Sequence, residues 1–272
     1  MKNGTIQKDE VKKLIDIVKA KEAFKEYVKN YDLEDKRIQL KVAHIERTSQ
    51  MSKKIAENLN LEKEDIKLAE LIGLLHDIGR FEQLKRFNTF VDKESINHGE
   101  FGGEILFKEG KIRDFIDTPK YDEIIRKAII NHNRNKIEDG LTEKELLHAK
   151  IVRDADKIDI FYILTFDKIE TIYGTKELSN QKITDEVYRE FIEDKKISYK
   201  NNKNEVDIVV SNFAYVYDFN FKFSLKYICD KKYLEIFYKR LTFSDEETMR
   251  RYHLIYETAK KYVEDKLEEK DD

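Results

Sequence analysis

An all-α fold is predicted by three features of this 272-residue chain. Apolar residues recur at spacings of three and four along most of its length. One proline and nine glycines are too few for a sheet protein rich in turns. Two Ser/Thr-x-x-Glu sequences, at Thr142 and Ser244, stand where helices should begin. Charged residues (39%) nearly match apolar ones (40%), which suits a soluble globular protein with a highly charged helical surface.

The elements follow in order. Residues 36–59 place Ile38, Val42, Ile45, Ser52, Ala56 and Leu59 on one stripe, which predicts an amphipathic helix. Residues 64–78 are apolar nearly all round and predict a central buried helix, with Gly79 where a C-cap glycine would stand. The next helix is expected from Ser95 to about Lys108. Gly99, Gly102 and Gly103 lie in its first half, each costing roughly 1 kcal/mol relative to alanine. Close backbone packing near a site would explain them. Thr118-Pro119 reads as an N-cap and an N1 proline, opening a helix to about Asn131.

The capping box at Thr142–Glu145 opens a long helix through Arg153, Ala155 and Asp156 towards Thr165. Ser244–Glu247 reads as a second capping box, ahead of a stripe of Met249, Tyr252, Tyr256, Ala259 and Val263. Between these, "VDIVV" (206–210) suits a short strand or a helix, and the aromatics of 212–238 are expected to pack as helical core. Tyr215 and Phe219 are candidates to wall a pocket. Residues 170–205 are the most polar stretch, where a loop or a seam is expected. No repeat or Pro/Gly-rich linker divides the chain. It reads as a single all-α unit over 1–272, with a helical core at about 38–165 and a mostly helical C-terminal extension at 166–272.

Composition narrows the function. Lys+Arg number 52 and Asp+Glu 55, and that balance gives no case for a nucleic-acid or anionic-membrane partner. A single cysteine, Cys229, excludes an internal disulfide and is read as a small buried apolar residue. The start "MKNGTIQKDEVKK" has no apolar run of the secretory kind, and no window is long and apolar enough for a membrane span. The cytoplasm is the expected location.

Five of the six histidines fall between positions 44 and 148. Four of them, His44, His76, His98 and His132, each lie at or near the apolar face of their own helix. Imidazoles and carboxylates converging from several helices are the usual ligands of divalent ions. His76 is followed directly by Asp77 in "LLHDIGR". Neighbours on a helix point about 100° apart, so both reach one ion only at a helix end. In "IVRDADKIDIF", Asp154 and Asp156 point to nearly opposite sides. Asp156 shares a stripe with Ala149 and Val152, so it is the expected ligand. Asp154 and Asp159 are expected as surface or supporting carboxylates.

The combination of His44, His76-Asp77 and Asp156, with "LLHDIGR" and "VRDADK", resembles the HD-domain superfamily of metal-dependent phosphohydrolases over roughly residues 38–165. The N-terminal stretch looks like a bacterial group of such proteins. The resemblance implies an HD-domain helical bundle and one or two divalent ions, drawn from Mn, Fe, Zn, Co, Ni and Mg. It implies that Asp77 bridges the ions, that His44, His76 and Asp156 hold one, and that His98 and His132 serve a second. A one-ion arrangement, with His98 and His132 on substrate phosphate, stays open. After "HDIG" the chain reads "RFEQ" with no Gly-Tyr-Pro in register, a departure from the HD-GYP cyclic-dinucleotide phosphodiesterases.

The expected activity is hydrolysis of a nucleotide or other small phosphoester by metal-activated water. Asp77, Arg80 and Lys157 are the expected catalytic groups, and Arg47, Arg80 and Arg134 the phosphate-binding cations. Asn97 and Asn131 are read as orienting imidazoles, contacting phosphate or capping helices, and His148 and His253 as structural. Two other readings stay open: a non-catalytic regulatory HD module binding a ligand or partner protein, and a metal enzyme of another reaction type. A homodimer is compatible with the sequence.

Overall fold

The structure is a computed structural model describing residues 14–269 except 174, 176 and 196. The N-terminal segment without a secretory run occupies 1–13, outside the described residues. No strand occurs among the described residues.

Helix α1 (Ile17–Val28) starts at Asp16, whose carboxylate accepts from the Val18 and Lys19 amides. Helix α2 (Lys36–Asn58) starts at Asp35 in the same way, and α3 (Lys63–Leu75) packs against it. Gly73 lets these two axes approach, because a Cβ there would lie 2.8 Å from the Ser49 Cα and 2.7 Å from the Ser52 Oγ. The predicted helix over 64–78 therefore ends earlier than expected. His76 is its C-cap, and Gly79 opens α4 (Gly79–Phe87) instead of closing α3.

Helix α5 (His98–Gly103) passes into a π-turn (Glu104–Lys108), followed by α6 (Ile112–Phe115). Thr118 caps a short 3₁₀ turn beginning at Pro119, and α7 (Asp122–Asn131) follows. Helix α8 (Glu143–Phe166) carries both halves of its capping box, Thr142 and Glu145. Beyond it lie α9 (Ile169–Tyr173), α10 (Asp185–Arg189), α11 (Glu205–Phe213), α12 (Lys222–Asp230), α13 (Tyr233–Lys239) and α14 (Glu246–Glu268). The "VDIVV" run is helical: it lies in α11, where Val206, Val209 and Val210 are buried. Tertiary burial outweighs its β-branched composition. The cap of α14 is Asp245, one residue past the Ser244 expected.

Two apolar clusters share three helices, α2, α3 and α8. One contains Ile45, Leu68, Leu71, Ile72, Phe81, Leu106, Ile125 and Ile129. The other contains Phe161, Val209, Val210, Phe213, Ile228, Phe237, Tyr252 and Ala259. Helix α8 gives Ala149 and Val152 to the first and Ile151, Ala155 and Ile158 to the second, so it is apolar on opposite sides. Each fully buried Leu, Ile or Phe stabilises by about 1.5–3 kcal/mol. Asp154 is buried in this seam rather than at the surface. It accepts from the backbone amides of Asn220 (2.9 Å) and Phe221 (3.0 Å), tying the C-terminal extension to α8. Burial pushes its pKa up. Cys229 is exposed, not buried as its residue type suggested. No helix among the described residues is long and apolar enough to cross a membrane.

Candidate metal centre

Five helices deliver six side chains to one chamber. His44 lies in the middle of α2 and Asp156 in the middle of α8. His76 caps α3, His98 is the first residue of α5, and His132 caps α7. Asp77 occupies the turn between α3 and α4. A helix end frees consecutive side chains from the 100° spacing, which is how His76 and Asp77 reach one place. The glycines set the approach of α5. A Cβ on Gly79 would run into the His98 carbonyl oxygen and lie 2.7 Å from the Gly102 nitrogen. A Cβ on Gly99 would lie 2.6 Å from the Asn133 Oδ1 and 3.0 Å from the Ile129 carbonyl oxygen of α7.

Every imidazole is fixed through Nδ1. His44 Nδ1 donates to Asp159 Oδ2 (2.7 Å) and His98 Nδ1 to Asp92 Oδ2 (2.7 Å). His76 Nδ1 donates to the Gly73 carbonyl (2.8 Å) and His132 Nδ1 to the Ile129 carbonyl (2.6 Å). These partners assign the proton to Nδ1 and turn all four Nε2 lone pairs into the chamber. There His44 Nε2 lies 3.2 Å from His76 Nε2, and His98 Nε2 lies 3.0 Å from His132 Nε2. Two lone pairs so close repel unless a proton or cation lies between them.

Asp77 joins the pairs. Its Oδ2 lies 3.4 Å from His44 Nε2 and 3.5 Å from His76 Nε2. Its Oδ1 lies 3.3 Å from His98 Nε2 and 3.5 Å from His132 Nε2. That Oδ1 is buried without a hydrogen-bond partner. Asp156 Oδ1 is 3.2 Å from His44 Nε2 and 3.8 Å from His76 Nε2. Ligands about 2.0–2.1 Å from an ion lie about 3.0–3.4 Å from one another at a tetrahedral or octahedral edge. The observed separations cluster at that spacing. The residues therefore fit one ion at His44, His76 and Asp77, with Asp156 beside them 3.2 Å from His44 Nε2, and a second at Asp77, His98 and His132.

The electrostatics agree. Burial and Lys41 push His44 down, but Asp156, Asp159 and Asp77 outweigh them and raise it to about 10, so without an ion a proton on His44 Nε2 takes the place of the cation there. Burial pushes His76 and His98 down to about 4, so both are neutral and ready to ligate. Burial would raise Asp77 and Asp156. For Asp77, Lys41 and His76 prevail, and for Asp156 the His44 hydrogen bond does, holding both carboxyls well below the usual carboxylate range. Carboxylates in excess around buried imidazoles call for a cation.

Residues 42–161 match the family model of the HD domain. The chain carries an HD domain. Comparison with curated proteins and with solved structures gives no match. The matched segment holds all six chamber residues. HD domains mark metal-dependent phosphohydrolases in general, although some are not catalytic, and the buried His/Asp groups of this one can hold a metal ion.

The cations around the HD domain are placed otherwise than their sequence positions suggested. Arg80 spends its guanidinium on Asp92 (2.8 Å), the Phe90 carbonyl (2.6 Å) and Gln83 (2.8 Å). Through Asp92 it holds His98, and its Nε lies 3.8 Å from Asp77 Oδ1, so it touches the chamber chiefly as a support. Arg47 donates to both oxygens of Asp159 (2.5 and 2.9 Å), the carboxylate that orients His44. Arg134 pairs with Glu138 (2.7 Å) and Glu100 (3.2 Å), and Lys157 with Asp218 (2.7 Å). These assignments follow from acids contributed by other segments, which sequence spacing does not show.

Several other readings resolve. Asp159 is buried and supports His44, not a surface carboxylate. Asn97 caps α5, and Asn131 holds backbone groups of Lys127 and Glu138. His148 is buried 3.4 Å from Asp65, and His253 meets the Tyr238 hydroxyl on the surface. Tyr215 and Phe219 pack on Phe161.

Sequence reasoning missed five residues. Lys41 Nζ lies 2.8 Å from Asp77 Oδ2. It sits one turn before His44, a spacing that could have found it. Asp92, Gln83 and Asn133 form the network around His98 and had no local signal. Arg153, buried, donates to the carbonyls of Asn131 (2.8 Å), His132 (3.3 Å) and Arg134 (2.5 Å), fixing the end of α7 that presents His132.

Proposed function

We propose that this HD domain hydrolyses a small phosphoester, of which a nucleotide is the best candidate, using divalent ions at the chamber. One observation carries the reading: the two oxygens of Asp77 each face a separate pair of inward-turned histidines. Bound there, an ion would supply a water of lowered pKa and polarise a phosphoryl oxygen. The protein's own groups do the rest. Asp159 and Asp92 keep the His44 and His98 rings oriented with their lone pairs inward. The burial of the histidines excludes bulk water and strengthens every charge interaction in the chamber.

Lys41 is the cation best placed for substrate. Its side chain is 19% exposed beside Asp77 Oδ2, at the rim of the chamber. An ammonium there can balance the charge of a phosphate once Asp77 is shared with an ion. The substrate would be small and phosphorylated, met in the cytoplasm, with neither a membrane nor nucleic acid as partner.

The test has two parts. Metal analysis of protein purified without chelator should find ions in the wild type and none in His76→Ala or Asp77→Ala. A hydrolysis screen over nucleoside mono-, di- and triphosphates, cyclic nucleotides and an aryl phosphate, with Mn, Co, Ni, Fe and Mg, should give turnover lost in the same variants. Ions without turnover on any phosphoester would leave the regulatory reading in its place.

A further inference from the structure

A cleft of about 370 Å3 opens on the far side of Asp159 from His44, between α2, α8 and the α12–α13 region. Its volume falls within the range of about 300–1,000 Å3 usual for small-molecule sites. Two features set it apart from a packing defect. Its walls carry more cations than acids: Arg47 lines it paired with Asp159, together with the exposed Lys54 and Lys231, and neither lysine has an acidic partner among the described residues. Its walls are also aromatic. The Arg47 guanidinium lies over the Tyr162 ring at 4.7 Å, and the Tyr162 and Phe166 rings adjoin at 4.9 Å. Phe166 is 58% exposed, a large apolar face left to solvent at the mouth. An exposed aromatic face beside unpaired cations is the chemistry that takes a flat ring bearing a phosphate.

We propose that this cleft is a second ligand site, binding a nucleotide-type anion as an effector of the metal centre. The heterocycle stacks against Phe166, and the phosphate is drawn to Lys54, Lys231 and Arg47. The connection runs through two residues. Arg47 donates to both oxygens of Asp159, and Asp159 Oδ2 also accepts the His44 Nδ1 proton. An anion that takes over part of Arg47 leaves Asp159 more negative towards His44. That raises the basicity of His44 Nε2 and tightens its hold on a cation. The direct attraction between anion and cation has the same sign. By linkage, a cation at His44 tightens the anion by the same factor. The coupling rests on the metal-centre reading, whereas binding to the cleft does not.

The test uses the full-length protein and does not depend on turnover. Adenosine monophosphate is titrated calorimetrically into chelator-stripped protein, with adenosine and inorganic phosphate as its separate halves. One equivalent should bind, at least tenfold tighter than either half. Lys54→Ala/Lys231→Ala, two exposed positions, should weaken it at least tenfold with an unchanged thermal melt. Absence of binding at millimolar concentration, or wild-type affinity in the double variant, overturns the site. Mn2+ is then titrated with and without the methylene-phosphonate analogue of the nucleotide, which cannot be hydrolysed at that bond. The analogue should tighten Mn2+ at least threefold in the wild type and not in Arg47→Gln or in the double lysine variant. Coupling that survives in the double variant would place the analogue at the metal centre itself and overturn the effector role. Loss of phosphohydrolase activity in an independent screen would leave each of these readouts intact.

Discussion

The chamber has two halves, built alike and finished differently. In each half one histidine leans on a carboxylate that is itself held by an arginine: His44 on Asp159 and Arg47, His98 on Asp92 and Arg80. In each half the other histidine donates to a carbonyl three residues back in its own helix: His76 to Gly73, His132 to Ile129. Asp77 gives one oxygen to each. The difference is Asp156, which adds a second carboxylate to the His44 half alone. Four protein donors close a tetrahedral shell, whereas three leave a position for water or substrate. On the proposed reading the first half would be the tighter site, and the second the one whose ion would exchange and meet substrate.

The largest effect should come from the residue that the halves share. Asp77→Ala removes a donor from both and should reduce bound metal to a trace and turnover at least a thousandfold. Retention of one full ion per chain, read by elemental analysis, would show that Asp77 serves one half only. His98→Ala should separate the halves. The protein should keep about one ion, held by His44, His76, Asp77 and Asp156, and lose the weaker-binding equivalent in a metal titration. Loss of both ions would mean that the halves are not independent.

Removing a supporting carboxylate should cost less. Oxygen partners of metal-bound histidines usually contribute about 10–100-fold in affinity. Asp159→Asn should weaken the tighter class of ion and Asp92→Asn the weaker class, each within that range. Both are read in one titration with a metal indicator. If either variant weakens both classes equally, the separate wiring of the halves is wrong. Arg80→Gln, acting mainly through Asp92, should have a smaller effect than Asp92→Asn and in the same class.

The contrast between the halves also shows what the chain reveals on its own. Helices α2 and α14 were legible because one face of each is apolar, and α8 because Thr142 and Glu145 announce its start. His44, His76, His98, His132 and Asp156 were legible as candidates because each lies beside an apolar stripe. Their supporting groups were not. Asp92 lies in the loop after α4, and nothing in its surroundings shows that Arg80, Gln83 and His98 will all turn to it. Arg80 therefore looked free to meet a phosphate. Gly79 looked like a helix stop because local grammar reads glycine as a cap. Its role is set by the His98 carbonyl, which comes from another helix. Local spacing finds a ligand, and the fold decides what orients it.

A fifth buried histidine sharpens the comparison at smallest amplitude. His148 is as deeply buried as His76, yet no second imidazole faces it. Asp65 lies 3.4 Å from its Nε2, and Lys144 pairs with that same carboxylate. Burial pushes His148 down to about 4, against Asp65, which raises it. Its folded pKa lies below the ordinary histidine value of about 6.5, so the unfolded chain binds more protons between those values. The stability it contributes is full above about 6.5 and is lost as pH falls towards 4. The shift corresponds to something on the order of 3 kcal/mol, or several degrees of melting temperature. His148→Gln removes the titrating ring while leaving a polar group for Asp65. It should flatten the acid side of the melting-temperature profile between pH 4 and 7 and leave metal content unchanged. An acid limb as steep as that of the wild type would assign the proton uptake elsewhere. Lost metal would mean that burial alone, without converging carboxylates and a second imidazole, is enough to tie a histidine to the centre.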